Sequence, residues 1–280
     1  MSVPPERDVA PRRRTILAMG GGGFTMEPSN PLLDDYLLTL SSTAEPKILF
    51  LPTASGDTTA QINSFYDRYG GRACCAKHVS LFRIDELDGP LEDVVLEQDI
   101  LYVGGGSMRN LLAIWHAHEL DRILVRAWRR GIVMAGLSAG AMCWFEGGIT
   151  RSGGTPEPFG GLGLLQGSLT VHADGEPERL PVWLACVRSG TLPGGWAADD
   201  GVGLLFRDTR LERVVSSRPG AGAQRVDAVE GELVRKRIEP DLLGAHGQLA
   251  PAMDDDVREY RRIRRIRGEM TGERHRFEDI

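Results

Sequence analysis

The chain has 280 residues, of which 41% are hydrophobic and 26% charged, with a formal net charge of −6 at pH 7. This length suits one large α/β domain or two small ones, and the acidic balance does not favour a nucleic-acid partner. No stretch approaches the roughly 18 apolar residues of a membrane-spanning helix, and the polar N-terminus lacks the apolar segment of a signal peptide. We therefore expect a cytoplasmic protein, whose four cysteines are reduced thiols.

Apolar runs that predict strands alternate with helix-compatible stretches through the first half of the chain. Residues 1–13, rich in proline and arginine, predict a disordered lead. The predicted strands are 15–19, 47–51, 77–82, 99–103 and 132–135, and the predicted helices are 31–40, 58–69 and 107–130. Short apolar runs bounded by glycine are typical of strands buried on both faces. The pattern predicts an α/β fold of three layers, a mostly parallel sheet with helices on both faces.

The second half differs in pattern. A short strand at 168–172 and a helix at 181–189 precede four runs in which apolar and polar residues alternate, at 202–206, 211–216, 224–229 and 232–238. We expect antiparallel strands at the edge of the same sheet. No linker divides the chain, so one domain is predicted over residues 14–240.

The remaining residues, 241–280, form a tail with dense charge of both signs. It predicts a solvated extension, or an exposed helix with Tyr260, Ile263 and Ile266 on one side and a basic cluster at 258–267. The alternative to a solvated extension is a docking helix or a contact in a homo-oligomer.

Three glycine-rich turns, at residues 20–23, 104–106 and 136–140, follow predicted strands. Ligands of parallel α/β sheets bind outside the carboxyl ends of the strands, where these turns are expected. The first two turns do not complete the dinucleotide pattern G-x-G-x-x-G, and none is followed by a Walker lysine. We expect no nucleotide, no metal and no organic cofactor.

Gly136-Leu137-Ser138-Ala139-Gly140 fits the pattern G-x-S-x-G, with an apolar strand before it and a helix-compatible stretch after it. In this context the serine stands on a sharp, strained turn that exposes its hydroxyl group, and the N–H of Ala139 points at the developing oxyanion. The alternative is a structural serine in a buried turn. A second oxyanion donor is expected from the free backbone N–H groups of Gly104-Gly105-Gly106.

A serine hydroxyl needs a base, and the base needs an acid that holds its tautomer. Of six histidines, only His172 lies at the end of a predicted strand after Ser138. The other histidines are expected in structural, surface or tail positions: His78, His116, His118, His246 and His275. Spacing alone does not choose among the candidate acids, which are Asp174, Glu176, Asp199 and Asp200.

Several segments taken together resemble peptidase E (aspartyl dipeptidase) and its relative cyanophycinase over residues 14–238. They are 104–107, 136–141, 161–165, His172 and 198–201. The resemblance implies a fold similar to the class I glutamine amidotransferase domain, with serine in place of the cysteine nucleophile.

The resemblance also implies site residues. Ser138 is the nucleophile, His172 the base, and Asp199 the best match to the acid, with Asp200 second. The N–H of Gly105 or Gly106 joins that of Ala139 in the oxyanion hole. One departure is Ser107, which stands where the family usually has asparagine and puts substrate positioning in doubt.

The function implied is a serine peptidase that acts on short peptides, with release of an N-terminal aspartate. Such a substrate needs a basic partner for its carboxylate, and Arg109, Arg151 and Arg179 are equal candidates. Two alternatives stay open: an esterase or other acyl hydrolase, and a non-catalytic binding module on the same fold. The expected partner is a small peptide, with neither nucleic acid nor membrane.

Overall fold

The computed structural model describes residues 13–244, 248 and 249. The chain divides into two units, Met1–Gln248 and Leu249–Ile280. Of the second unit only Leu249 is described, so the account below concerns the first. The predicted lead, apart from Arg13, and most of the tail, including its basic cluster, lie outside the described residues and stay predictions. The first residues of the tail are described, and Asp241–Leu242 is a short strand that pairs with Val215 and Ser216, so the sheet extends past the predicted domain boundary at 240.

Within the described residues the strands are β1 (Thr15–Met19), β2 (Lys47–Leu51), β3 (Cys75–His78), β4 (Ile100–Val103), β5 (Val133–Leu137), β6 (Phe145–Thr150), β7 (Glu157–Gly160), β8 (Leu165–Thr170), β9 (Gly195–Ala198), β10 (Val202–Arg207), β11 (Arg210–Ser216), β12 (Ala223–Val229), β13 (Glu232–Ile238) and β14 (Asp241–Leu242). The helices are α1 (Gly23–Met26), α2 (Leu32–Thr39), α3 (Thr59–Tyr69), α4 (Leu91–Leu96), α5 (Met108–Ala117), α6 (Leu120–Arg129), α7 (Ala139–Met142) and α8 (Arg179–Arg188), with 3-10 turns at Thr53–Ser55 and Leu81–Glu86.

The larger sheet has the strand order β14-β11-β10-β1-β5-β4-β2-β3. Five neighbouring strands of this sheet are parallel, in the order β1-β5-β4-β2-β3. β10 and β11 extend the sheet beyond β1 with antiparallel pairing. Side chains of β1 alternate between two cores, because successive residues of a strand point to opposite faces. Ile16 packs with the face covered by α5 and α6, and Leu17 with the face covered by α2 and α3. The three-layer fold predicted from the strand–helix alternation is confirmed.

The smaller sheet has the order β13-β12-β9-β8-β6-β7. The four alternating runs of the second half therefore divide: β10 and β11 join the larger sheet, whereas β12 and β13 continue from β9 in the smaller one. The expectation that all four lie at the edge of one sheet is wrong. An alternating pattern shows that one face of a strand is buried, but it does not specify the strand that pairs with it. For β12 the position is determined by packing against α8, where Val226 and Trp183 share one hydrophobic core.

Two further elements differ from the sequence-based expectation. The helix predicted at 107–130 is two helices, because Glu119 has a φ of 55° that ends the first. The strand predicted at 77–82 ends at His78, where the carboxylate of Asp57 accepts hydrogen bonds from Ser80 Oγ and the Phe82 N–H at 2.6 and 3.3 Å and holds a turn instead. Over the part of the chain that is described, no helix combines the length and apolar character needed to cross a membrane.

Candidate active site

Ser138 follows β5 directly and has a backbone conformation rare for a residue with a side chain, φ 55° and ψ −113°. The two glycines of its motif make this turn feasible. A Cβ at Gly136 would lie 1.8 Å from the carbonyl oxygen of Gly140, and a Cβ at Gly140 would lie 2.4 Å from that of Val103. The turn is therefore packed as tightly as a nucleophile elbow requires.

His172 reaches this serine from the smaller sheet, two residues beyond the end of β8. Its own φ is 53°, and its N–H donates to the carbonyl of Gly20 at 3.3 Å. The ring is buried, and Nε2 lies 2.9 Å from Ser138 Oγ. The predicted pairing of Ser138 with His172 thus exists in the structure.

Asp200, and not Asp199, lies on the other side of the imidazole. Asp200 Oδ1 is 2.5 Å from His172 Nδ1. The carboxylate of Asp199 instead accepts the Gly222 N–H at 2.8 Å. Burial raises the pKa of Asp199, while that hydrogen bond opposes the rise.

The sequence-based preference for Asp199 is therefore corrected to its neighbour, Asp200. Both aspartates lie beyond the last residue of β9, and the backbone there directs the Asp199 side chain to the Gly222 N–H and the Asp200 side chain to His172. A third acid, Asp174, supports the arrangement, because its Oδ1 accepts the N–H of Asp200 at 2.8 Å.

Gly21 is a part of the site for which the residue pattern assigned no role. A Cβ at this position would lie 1.8 Å from Asp200 Oδ1 and 2.9 Å from His172 Nδ1. Only glycine leaves room for the histidine–aspartate pair against the end of β1. The available signal was the glycine run at residues 20–23, directly after the first strand.

The loop after β4 lies beside the serine, since a Cβ at Gly105 would be 3.4 Å from Ser138 Cβ. The N–H groups of Gly105 and Gly106 have no hydrogen-bond partner within the described residues. Ala139 is the first residue of α7, so its N–H also lies outside the helical hydrogen-bond pattern. Ser107, at the position where the family usually has asparagine, caps α5 by accepting the Asn110 N–H at 3.2 Å.

A cavity of about 420 Å³ opens over the serine, lined by Thr25, Met26, Gln61, Gly105, Gly106, Leu137, Ser138, His172, Gly175, Glu176 and Asp200. No lysine or arginine is among these described lining residues. Of the three candidate arginines, Arg109 pairs with Glu157 at 2.7 Å, whereas Arg151 and Arg179 pair with Glu176 at 3.2 and 3.0 Å.

Glu176 keeps its negative charge at the edge of this cavity. Burial raises its pKa, but Arg179 and Arg151 outweigh burial and leave the pKa below its usual value. Oε2 accepts from both arginines, while Oε1 accepts from Arg179 Nη2 at 3.1 Å and from no other donor in the described part of the chain. A carboxylate oxygen offers two lone pairs, so Oε1 retains capacity for a further donor.

The remaining predicted candidates lie elsewhere. His78 contacts Tyr66 Oη at 2.8 Å and His116 contacts Asp121 at 3.3 Å, whereas His246 and His275 lie outside the described residues. The four cysteines are free thiols, as predicted, and Cys143 is buried five residues after Ser138. Across residues 13–244, 248 and 249, no group of three or more His, Cys, Asp or Glu side chains is placed to hold a metal ion.

The site thus has a serine, a histidine and an aspartate joined in this order at the carboxyl edge of an α/β sheet. Beside them lie backbone N–H groups that have no partner among the described residues. This arrangement defines the class of serine hydrolases. Residues 16–214 match the model of peptidase family S51. The chain belongs to that family and is a serine-type peptidase. The resemblance inferred from the motifs is confirmed.

A relative with a similar sequence agrees with this assignment, and two solved structures align with the chain. The chain is 46% identical over 231 residues to "Uncharacterized peptidase YgaJ" of Bacillus subtilis (strain 168), covering 82% of this chain and 100% of that protein. The crystal structure of a peptidase from an acI-B1 actinobacterium aligns with a TM-score of 0.63 at 15% identity, over 82% of this chain and 96% of that one. A putative peptidase E protein from Listeria monocytogenes EGD-e aligns with a TM-score of 0.49 at 13% identity, over 81% of this chain and 100% of that one. At such identities the first structure supports the fold alone.

Proposed function

We propose that the protein hydrolyses short peptides through an acyl-enzyme formed on Ser138. The observation that carries the proposal is the position of His172, with Nε2 2.9 Å from Ser138 Oγ and Nδ1 2.5 Å from Asp200 Oδ1. This spacing matches the geometry in which an imidazole takes a proton from a hydroxyl while a carboxylate holds its tautomer.

In the proposed reaction, Ser138 Oγ attacks the scissile carbonyl carbon and its proton passes to His172 Nε2. Asp200 accepts the Nδ1–H and stabilises the imidazolium. The N–H groups of Ala139 and of Gly105 or Gly106 donate to the oxyanion. The imidazolium then protonates the leaving amine, the C–N bond breaks, and water, activated by the same imidazole, hydrolyses the ester to restore the serine.

The finer part of the proposal concerns the substrate, a dipeptide with an N-terminal aspartate. Glu176 would bind the α-ammonium group through the free capacity of Oε1. Arg151, which is 41% exposed, lies 3.2 Å from the same carboxylate and would bind the aspartate side chain. Glu176 and Arg151 carry opposite charges, as do the α-ammonium and side-chain carboxylate groups of an N-terminal aspartate. Of the other two arginines, Arg179 is buried, and Arg109 pairs with Glu157, which is not among the residues that line the cavity.

The nucleophile is tested with Ser138→Ala. We expect kcat on an Asp-Leu dipeptide to fall by about 10⁶, because the three side chains act as a unit. Labelling of the wild type by a fluorophosphonate probe, followed by mass spectrometry of the modified peptide, should place the adduct on Ser138. Retention of most activity by the variant would reject the assignment, and the absence of both labelling and hydrolysis would favour the binding module.

The substrate is tested by comparing kcat/KM for Asp-Leu, Asn-Leu and an aspartyl ester, in the wild type and in Arg151→Met. Loss of one charge-assisted hydrogen bond lowers kcat/KM for Asp-Leu by about 10- to 100-fold and leaves Asn-Leu nearly unchanged. Equal rates on Asp-Leu and Asn-Leu in the wild type would overturn the aspartate preference. Hydrolysis of the ester alone would favour the esterase.

A further inference from the structure

Gln61 reaches the cavity from α3, a helix with no part in the motifs. Its Nε2 donates to the carbonyl oxygen of Gly105 at 3.3 Å, and its side chain lines the cavity together with Ser138. A Cβ at Gly104 would lie 2.9 Å from Gln61 Oε1, so the glycine at that position lets the amide approach the end of β4. The carboxamide is therefore packed against the backbone of the loop that lies beside the serine.

The hydrogen bond from Gln61 to the Gly105 carbonyl bears on the direction of the Gly106 N–H group. The described chain has no cis peptide, and in a trans peptide unit the C=O and the N–H point in opposite directions. Fixing the Gly105 carbonyl toward Gln61 therefore fixes the direction of the Gly106 N–H. That N–H has no hydrogen-bond partner within the described residues.

The peptide unit needs such a restraint because its second residue is Gly106, with a φ of 144° that only glycine adopts readily. On its far side the loop is already held, since the Ser107 N–H donates to the carbonyl of Ala54 at 2.7 Å. A Cβ at Gly106 would lie 2.2 Å from that same oxygen. Among the described hydrogen bonds, the one from Gln61 is the only one that the Gly105 carbonyl accepts.

We propose that Gln61 is a positioning residue of the oxyanion hole. It holds the peptide unit between Gly105 and Gly106 so that the Gly106 N–H, and not the Gly105 carbonyl oxygen, faces the tetrahedral intermediate. The inference rests on the proposed function, since it presumes an acyl transfer on Ser138. Donors aimed at developing charge act in the transition state and not on bound substrate. Loss of the Gln61 bond therefore lowers kcat and leaves KM nearly unchanged.

The test uses Gln61→Met, which keeps the length of the side chain and removes the donor, and Gln61→Glu, whose carboxylate repels the Gly105 carbonyl. Asn63→Ala, on the exposed side of the same helix, is the matched control. We measure kcat, KM, the Ki of a peptide boronic acid that mimics the tetrahedral intermediate, and the unfolding temperature. The expected result is a fall of about 10² in kcat for both Gln61 variants, with a parallel rise in the boronate Ki.

Two outcomes would overturn the inference: an unchanged boronate Ki, or a rise in KM at constant kcat. If Gln61→Glu fails to fold, Gln61→Met carries the test. Failure of the proposed function is recognised separately, because Ser138→Ala would then retain activity and the fluorophosphonate adduct would not be on Ser138. A wild type that is labelled at Ser138, with Gln61 variants that match it in kcat, would reject only the role of Gln61.

Discussion

The two adjacent aspartates after β9 offer a matched pair of variants, Asp199→Asn and Asp200→Asn. In Asp200→Asn the amide presents either an oxygen or an NH₂ group to His172 Nδ1, at the position where the carboxylate now lies 2.5 Å away. With NH₂ facing it, Nδ1 becomes an acceptor and the proton moves to Nε2. Nε2 then cannot take the proton of Ser138.

The size of the effect follows from this tautomer change. Exchange of the acid for its amide in a Ser-His-Asp triad lowers kcat by about 10⁴, which corresponds to about 5 kcal/mol in the activation barrier. Asp199→Asn retains an oxygen that accepts the Gly222 N–H, and it removes a carboxylate whose pKa is raised by burial. We expect its free energy of unfolding to change by less than about 1 kcal/mol and its kcat by less than about threefold.

The assay is steady-state hydrolysis of Asp-Leu by both variants, with urea unfolding to verify that each is folded. An equal loss of kcat in the two variants would refute the reasoning, as would an Asp200→Asn enzyme with most of its activity intact. Either result would mean that the geometry around His172 does not determine which carboxylate acts.

Further predictions concern Gly21 and Asp34. Gly21→Ala lowers kcat/KM by several orders of magnitude, because the added Cβ would lie 1.8 Å from Asp200 Oδ1. The control, Gly71→Ala, leaves activity unchanged, since no atom lies within 4 Å of its Cβ. Equal kcat/KM values for the two variants would contradict the crowding argument. Burial raises the pKa of Asp34 from 3.8 to about 7, with Arg68 opposing the rise. The folded state then binds more protons than the unfolded state between these values, so the unfolding free energy falls as pH rises through this window. Asp34→Asn should lack this slope in urea unfolding at pH 5 and pH 7, and identical slopes would contradict it.

Much of the larger sheet was predictable because its strands are short apolar runs whose neighbours in sequence are helices. The predicted strands at 15–19 and 47–51 coincide with β1 and β2. Ser138 was recognisable for a similar reason: the strained turn, the small neighbours and the preceding strand are all local in sequence. Local features of this kind are fixed by sterics and by the two-residue period of a strand.

The smaller sheet was harder to predict, because alternating strands such as 202–206 and 224–229 carry the same pattern whichever sheet they join. Hydrophobic burial is not directional, so a strand with one apolar face does not specify its neighbour. The decision rests on contacts between distant segments, such as the pairing of β12 with β9.

The sequence by itself predicted the parallel core, the strained turn at Ser138 and His172 as the partner of that serine. Only the tertiary structure decided between Asp199 and Asp200, and only it brought Gly21 and Gln61 to the site. Those choices depend on which side of a strand end a side chain leaves and on how closely two backbones approach. Such distances arise from the packing of whole elements, and no spacing along the chain records them.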